Sequence, residues 1–163
     1  VAYQGVVCAS VVLTRPLAGY YVTNITDPWV PFTAVIEMTA LVDRDDLAGY
    51  SLVYLPKYLP SDHSDFELPD AVWRERFLDA LLRMYPQVEP DDVAAFRVSR
   101  ERFVHARSTL AYSDRLPPRR TSVPGIHIVN SAHIVNGTLN VNETIKLAEA
   151  AIPELLDVVP DEL

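Results

Sequence analysis

The chain has 163 residues, 49% hydrophobic and 22% charged, which is the composition of a globular domain that can bury a core and excludes a disordered segment. Its 14 basic and 22 acidic residues leave a net charge of −8, so there is no electrostatic footprint for nucleic acid or for an anionic membrane surface. No run approaches the roughly 18 uninterrupted apolar residues of a membrane span, and the amino terminus lacks the basic region and cleavage site of a secretory signal. Cys8 is the single cysteine and lies in an apolar run; it reads as a small buried hydrophobe, and a reducing, cytoplasmic setting is expected. The N-x-T sequons at Asn24, Asn136 and Asn142 are then coincidental. The chain opens at Val1 rather than Met and enters a strand-like run almost at once, as a piece excised from a longer protein would.

In chain order, Gly5 to Leu13 is a nearly continuous apolar run that predicts a strand, closed by the turn Arg15-Pro16-Leu17-Ala18-Gly19. Two more strands are predicted over Tyr20–Ile25 and Thr33–Thr39, separated by Asp27-Pro28-Trp29-Val30-Pro31, whose prolines cannot donate a ladder hydrogen bond. A fourth strand is Ser51–Tyr58, and short connections imply an antiparallel meander. Pro69-Asp70 then opens a segment with Val72, Trp73, Phe77, Leu81, Leu82 and Tyr85 at helical spacing, stopped near Pro86. Pro90-Asp91-Asp92 predicts a short helical turn, and Ala94–Ala106 a long strand that rejoins the sheet. Gly125–Asn130 reads as a short buried strand. A helix follows over Asn140–Ile152, with Val141, Ile145, Ala148 and Ile152 on one face and Pro153 ending or kinking it. The order lacks regular βαβ alternation, so the class is α+β: a mostly antiparallel mixed sheet flanked by helices.

Chemistry-bearing motifs are few. His63, His105, His127 and His133 are scattered with no i, i+4 pair, so no metal site is expected; His127 reads as a partly buried strand histidine. Asp43, Asp45 and Asp46 around Arg44 read as a solvated loop, since EF-hand spacing is absent. There is no Gly-x-Ser-x-Gly, Walker loop, Cys-x-x-Cys or Gly-x-Gly-x-x-Gly. Arg97, Arg100, Arg102 and Arg107 crowd the long strand, where period 2 divides them between faces. A hydrophobic run from Val123 to Ala132, then a Gly137-bearing loop that opens a helix, can present backbone N–H groups and the positive helix end to an electron-rich ligand. An ordinary capped helix, with Thr138, Asn140 or Asn142 as N-cap, accounts for the same pattern.

Pro124-Gly125-Ile126-His127-Ile128-Val129-Asn130, followed by Gly137 and the helix at Asn140, resembles the carboxy-terminal FAD segment of the flavin amine oxidase superfamily. Upstream, Tyr3-Gln4-Gly5-Val6-Val7-Cys8, Arg15-Pro16-Leu17, Asn24-Ile25, Val35-Ile36-Glu37 and Leu52-Val53-Tyr54-Leu55-Pro56-Lys57 resemble bacterial protoporphyrinogen oxidase-like members, so the likeness spans nearly the whole chain. The sequence departs from the family in closing its strand on Asn130 instead of an acid, and in a Ser131–Leu139 loop that is not Gly-rich. The Rossmann phosphate fingerprint is missing.

The resemblance implies a substrate-binding domain over 1–122 and, over 123–163, the strand and helix that would complete an FAD-binding domain. It implies a parent oxidoreductase in which a hydride passes from an amine-like or other small organic substrate to flavin, with this chain alone inactive. Asn130, Ser131, Asn140, Val141 and Asn142 would line the FAD side, and Tyr54, Arg102 and Tyr112 the substrate side; no catalytic residue is assigned. The implied partners are the small-molecule substrate and a missing amino-terminal FAD-binding half, with self-association through an exposed apolar face also expected. Two alternatives stay open: a fragment of a UDP-galactopyranose mutase-like flavoenzyme, kept by the arginine-rich strand, and a non-catalytic α+β interaction module.

Overall fold

The structure, a computed structural model, describes residues 1–156. It is an α+β fold in which five strands form one sheet: β1 (Tyr3–Leu13), β2 (Val22–Asn24), β3 (Ala34–Glu37), β4 (Ser51–Pro60) and β5 (Val93–Ala106). The helices are α1 (Asp70–Met84) and α2 (Val141–Leu156). Strands lie in the order β2-β3-β4-β1-β5, and the pairs β2–β3, β3–β4 and β4–β1 are antiparallel. The expected meander holds for β2, β3 and β4 only, because β1 sits between β4 and β5. β1 is the strand that is apolar along most of its length, and it takes an interior position that exposes no edge; the three-residue β2 takes an edge, where a short strand offers little unpaired backbone.

The chain divides into two compact units, Gln4–Val104 and Val1–Tyr3 with the chain from His105 onward. In the first, one sheet face carries Val7, Ala9, Val11, Val53, Leu55 and Val35, all buried against Trp73, Phe77 and Leu81 of α1. Trp73 meets Phe77 edge to face at 5.1 Å, and Phe77 meets Phe32 at 5.5 Å. Burial of each such side chain contributes about 2–3 kcal/mol. Helix α1 begins with Asp70 in its first turn and ends with Arg83 in its last, charges that suit the helix dipole, and Tyr85-Pro86 stops it.

Gly5 of β1 has a packing reason to be glycine. A Cβ there would lie 2.6 Å from the Glu101 carbonyl oxygen and from Phe66 Cζ, and 2.8 Å from Arg102 Cα. A second fixed point is Glu37, 2% exposed, whose carboxylate accepts hydrogen bonds from the N–H groups of Leu17 (2.9 Å), Ala18 (3.1 Å) and Gly19 (2.8 Å). That carboxylate satisfies three backbone donors of the turn after β1, which would otherwise be costly orphans. Just before the same turn, Asp92 accepts from Thr14 Oγ1 (2.7 Å) and Glu89 N (2.9 Å) and pairs with Arg15 (2.9 Å). The acidic stretch at Asp43–Asp46 folds as a 3-10 turn, with the Asp43 side chain accepting from Asp45 N.

The second unit is mostly loop and α2. Its small core is Ala106, Tyr112 and Ala132, with Tyr3 and Leu116 against it. The buried strand expected over Gly125–Asn130 does not form: the structure has a single bridge, Arg120 to His127, around a turn at Gly125 (φ +78°). Thr121 N donates to Ile126 O (3.1 Å) and Ile128 N to Arg119 O (2.8 Å), so the segment folds back on its neighbours and leaves Ile126 and Ile128 exposed. A strand needs a sheet to join, and the described residues of this unit offer none. Helix α2 runs through Pro153 to Leu156 instead of stopping there, although the proline removes one N–H donor from the ladder.

Candidate functional site

The face of the sheet opposite α1 is the first candidate. Alternation along β1, β3 and β4 places Val6, Cys8, Ser10, Val12, Ile36, Leu52 and Tyr54 there, and all remain half-buried. Tyr54 is opposite Ser10 on one side and Ile36 on the other. Burial raises the pKa of the Cys8 thiol, partly offset by a hydrogen bond involving the Leu55 backbone, so Cys8 is a neutral, weakly nucleophilic group on this face.

Arg102, expected beside Tyr54, is on the other face. Its guanidinium stacks over Phe66 at 4.7 Å, donates to Ser61 O (2.6 Å) and pairs with Glu67. Arg100 shares that face, bonding Leu68 O (2.8 Å) and Asp70 (2.6 Å). Both arginines thus brace the loop into α1. Arg97 is exposed and, by alternation, belongs to the face of Tyr54. Tyr112 lies in the second unit, buried, with its hydroxyl donating to Ala132 O at 2.6 Å; burial, then the neighbouring Tyr3, raises its pKa. Tyr54 and Arg102 therefore stand on opposite faces of the sheet, and Tyr112 belongs to the other unit.

The segment expected to meet FAD lies in the second unit. Asn130 caps the 3-10 turn Ser131–His133, with its side-chain oxygen accepting from Ala132 N at 2.9 Å. Asn140 caps α2: its side-chain oxygen accepts from Glu143 N at 2.9 Å, and its carbonyl takes the first intrahelical bond from Thr144 N. Both asparagine oxygens are thus engaged in closing their own turns. The N–H groups of Val141 and Asn142 precede the first intrahelical bond and sit on an exposed helix start. Ser131 is half-buried in its turn. Glu143 in the first turn of α2 brings a negative charge, though Lys146 pairs with it at 2.8 Å. The Glu143 carboxylate in this first turn disfavours a phosphate at the helix start.

A recess of about 310 Å³ lies in the hairpin from Arg120 to His127. His133, not singled out by the sequence, is buried, with Nδ1 against Asn130 and Nε2 3.1 Å from Pro117 O. Its signal was slight: a histidine three residues after an asparagine, the spacing of a capping box. Among the described residues no group of three or more His, Cys, Asp or Glu could hold a metal ion, and no helix is long and apolar enough to cross a membrane.

No family model and no curated protein matches the chain. Among solved structures, an oxidoreductase from Methanosarcina mazei is similar with a TM-score of 0.58 and 19% sequence identity, over 93% of this chain and 34% of that one. At that identity the likeness is one of fold. The chain spans about a third of the length of that protein.

Proposed function

We propose that this chain is part of an FAD-dependent oxidoreductase, with residues 1–122 as its substrate-binding domain and 123–163 as the segment that completes an FAD-binding domain. Residues 157–163 of that range lie outside the described residues. The observation that carries the reading is the fold match: nearly all of this chain corresponds to a third of a solved oxidoreductase, as expected of one part of such an enzyme. The absent Rossmann fingerprint fits the same view, because the phosphate-binding part would belong to the remaining two-thirds.

On this reading FAD, when bound, supplies the redox chemistry by accepting a hydride from an amine-like or other small organic substrate. The chain supplies position and exclusion of water. The half-buried face around Ser10, Leu52 and Tyr54 covers the substrate, and the exposed start of α2 at Val141 and Asn142 offers backbone N–H groups to the flavin. Arg100 and Arg102, held by Asp70 and Glu67, are left out of the site, and of the strand arginines only Arg97 shares the face of Tyr54. The working setting is the cytoplasm.

The test is FAD titration by flavin absorbance and fluorescence, on this chain and on a longer one extended at its amino terminus. Stoichiometric FAD on the longer chain only, bleached by a substrate under anaerobic conditions, supports the proposal. No retention by either, together with self-association of this chain, would make it an interaction module.

A further inference from the structure

The loop that leads into β3 and the exposed side of α1 form a recess of about 380 Å³, lined by Trp29, Pro31, Arg76, Asp79, Ala80 and Arg83. We propose that this recess binds a small organic carboxylate, with the carboxylate held by Arg83 and the apolar body laid against Trp29, Pro31 and Ala80. The site lies wholly within the Gln4–Val104 unit and uses no residue of the Tyr54 face, so it does not rest on the oxidoreductase reading. Pockets that take small molecules begin at about 300 Å³, and this recess reaches that size.

The loop wall is fixed in place. Phe32, 2% exposed, meets Phe77 of α1 edge to face at 5.5 Å; Val30 N donates to Asp27 O at 3.3 Å, and Lys57 Nζ to Pro31 O at 3.0 Å. From α1 the Arg83 guanidinium lies over the Trp29 ring, 4.0 Å from its centroid. Stacking engages the flat face of a guanidinium and leaves its N–H groups, which point outward in the guanidinium plane, open to a carboxylate. Among the described residues neither Arg76 nor Arg83 forms an ion pair, although Asp79 lies between them at helical spacing from both. The lining therefore carries two positive charges and one negative, an excess that a single carboxylate balances. A neutral molecule would make weaker hydrogen bonds to the same donors, and a diphosphate would bring more negative charge than the lining answers, beside the Asp79 carboxylate.

The probes are benzoate, benzyl alcohol and acetate: the first two share a ring and differ in charge, and acetate keeps the charge without the ring. Each is titrated into this chain and followed by tryptophan fluorescence and amide-resolved NMR. Trp29 is 41% exposed and Trp73 fully buried, so a ligand in the recess acts on the emission of Trp29. Expected are shifts centred on Trp29, Ala80 and Arg83, with benzoate bound about tenfold more tightly than either of the others. Arg83→Gln should weaken benzoate about tenfold and leave benzyl alcohol unchanged. Arg74→Gln, on the same helix but stacked on Phe96 outside the recess, should change neither. Both arginines are exposed, so circular dichroism should match the parent in each variant. Benzyl alcohol or acetate bound as tightly as benzoate, benzoate binding that survives Arg83→Gln, shifts elsewhere, or no shifts would overturn the inference. No flavin takes part, so a longer chain without FAD would overturn the enzyme reading alone, and failure of benzoate here would overturn this site alone.

Discussion

The unit Gln4–Val104 and the unit from His105 onward solve the same folding problem to different extents. The first closes a sheet face over Trp73, Phe77 and Leu81 and ties its turns with Glu37 and Asp92. Among its described residues the second buries Ala106, Tyr112, Ala132, His133 and Ala151 and leaves large apolar side chains of α2 in water: Val141 is 73% exposed, Leu156 64% and Ile145 52%. Those residues recur at helical spacing along one side of α2, and Ile126 and Ile128 are exposed on the hairpin. An exposed apolar stripe of this length marks a surface that a partner covers. The first unit therefore encloses a larger core of its own, although Tyr20, Leu41 and Phe103 stay exposed, and the second packs Ala151 of α2 inward while the apolar side of that helix faces water.

The sharpest way to break this comparison is to damage each unit where it is best packed. Trp73→Ala should cost about 4 kcal/mol by cavity formation, and Gly5→Ala about 3 kcal/mol, since the clash is with backbone that cannot swing aside. Both are read as a lower midpoint in urea for the Gln4–Val104 unit. Glu37→Ala should cost about 2–3 kcal/mol by stranding three buried or half-buried N–H groups, with loss of amide protection at Leu17, Ala18 and Gly19.

In the second unit effects should be smaller. Tyr112→Phe orphans the Ala132 carbonyl and should cost about 1–2 kcal/mol. Because the folded-state pKa of Tyr112 is raised, its contribution is whole below the ordinary tyrosine pKa near 10 and is lost as pH climbs through the folded value. Thermal melts should thus fall at alkaline pH in the parent and less steeply in Tyr112→Phe. Asp92 runs the opposite way: backbone hydrogen bonding from Glu89, then Thr14, lowers its pKa, so its contribution is present above about pH 4 and disappears as pH falls. Asp92→Asn should flatten the acid limb of the melting profile. Smallest of all, Ile145→Ser should change stability by less than about 0.5 kcal/mol, while lowering any tendency to self-associate seen in sedimentation.

The contrast between the units also explains what was legible in the sequence. Where periodicity reported burial inside the chain itself, as at Trp73, Phe77 and Leu81 or along β1 and β4, elements fell within a few residues of their expected bounds. The meander was half right because nothing local says that β1 should slip between β4 and β5; that choice depends on which strand can be buried on both sides. Gly125–Asn130 has the composition of a buried strand but no sheet in its own unit to join, and Pro153 could not stop a helix whose neighbouring turns persist. Among site residues, Asn140 was readable as a cap, and Tyr54 by alternation falls on the half-buried face. The separation of Arg102 from Tyr54 also follows from alternation once β5 is known to pack Phe96 and Val98 against α1, which single-sequence spacing does not reveal.

Amide hydrogen exchange on α2 tests the central claim most directly, measured in this chain alone and in the FAD-loaded longer chain. The account predicts that Val141–Leu147 and the hairpin at Arg119–Ile128 exchange quickly in the chain alone and gain protection of at least a hundredfold in the longer one, while β1, β4 and α1 are protected equally in both. Full protection of α2 in the chain alone, or no gain in the longer chain, would contradict it and leave the exposed apolar side of α2 with some other purpose.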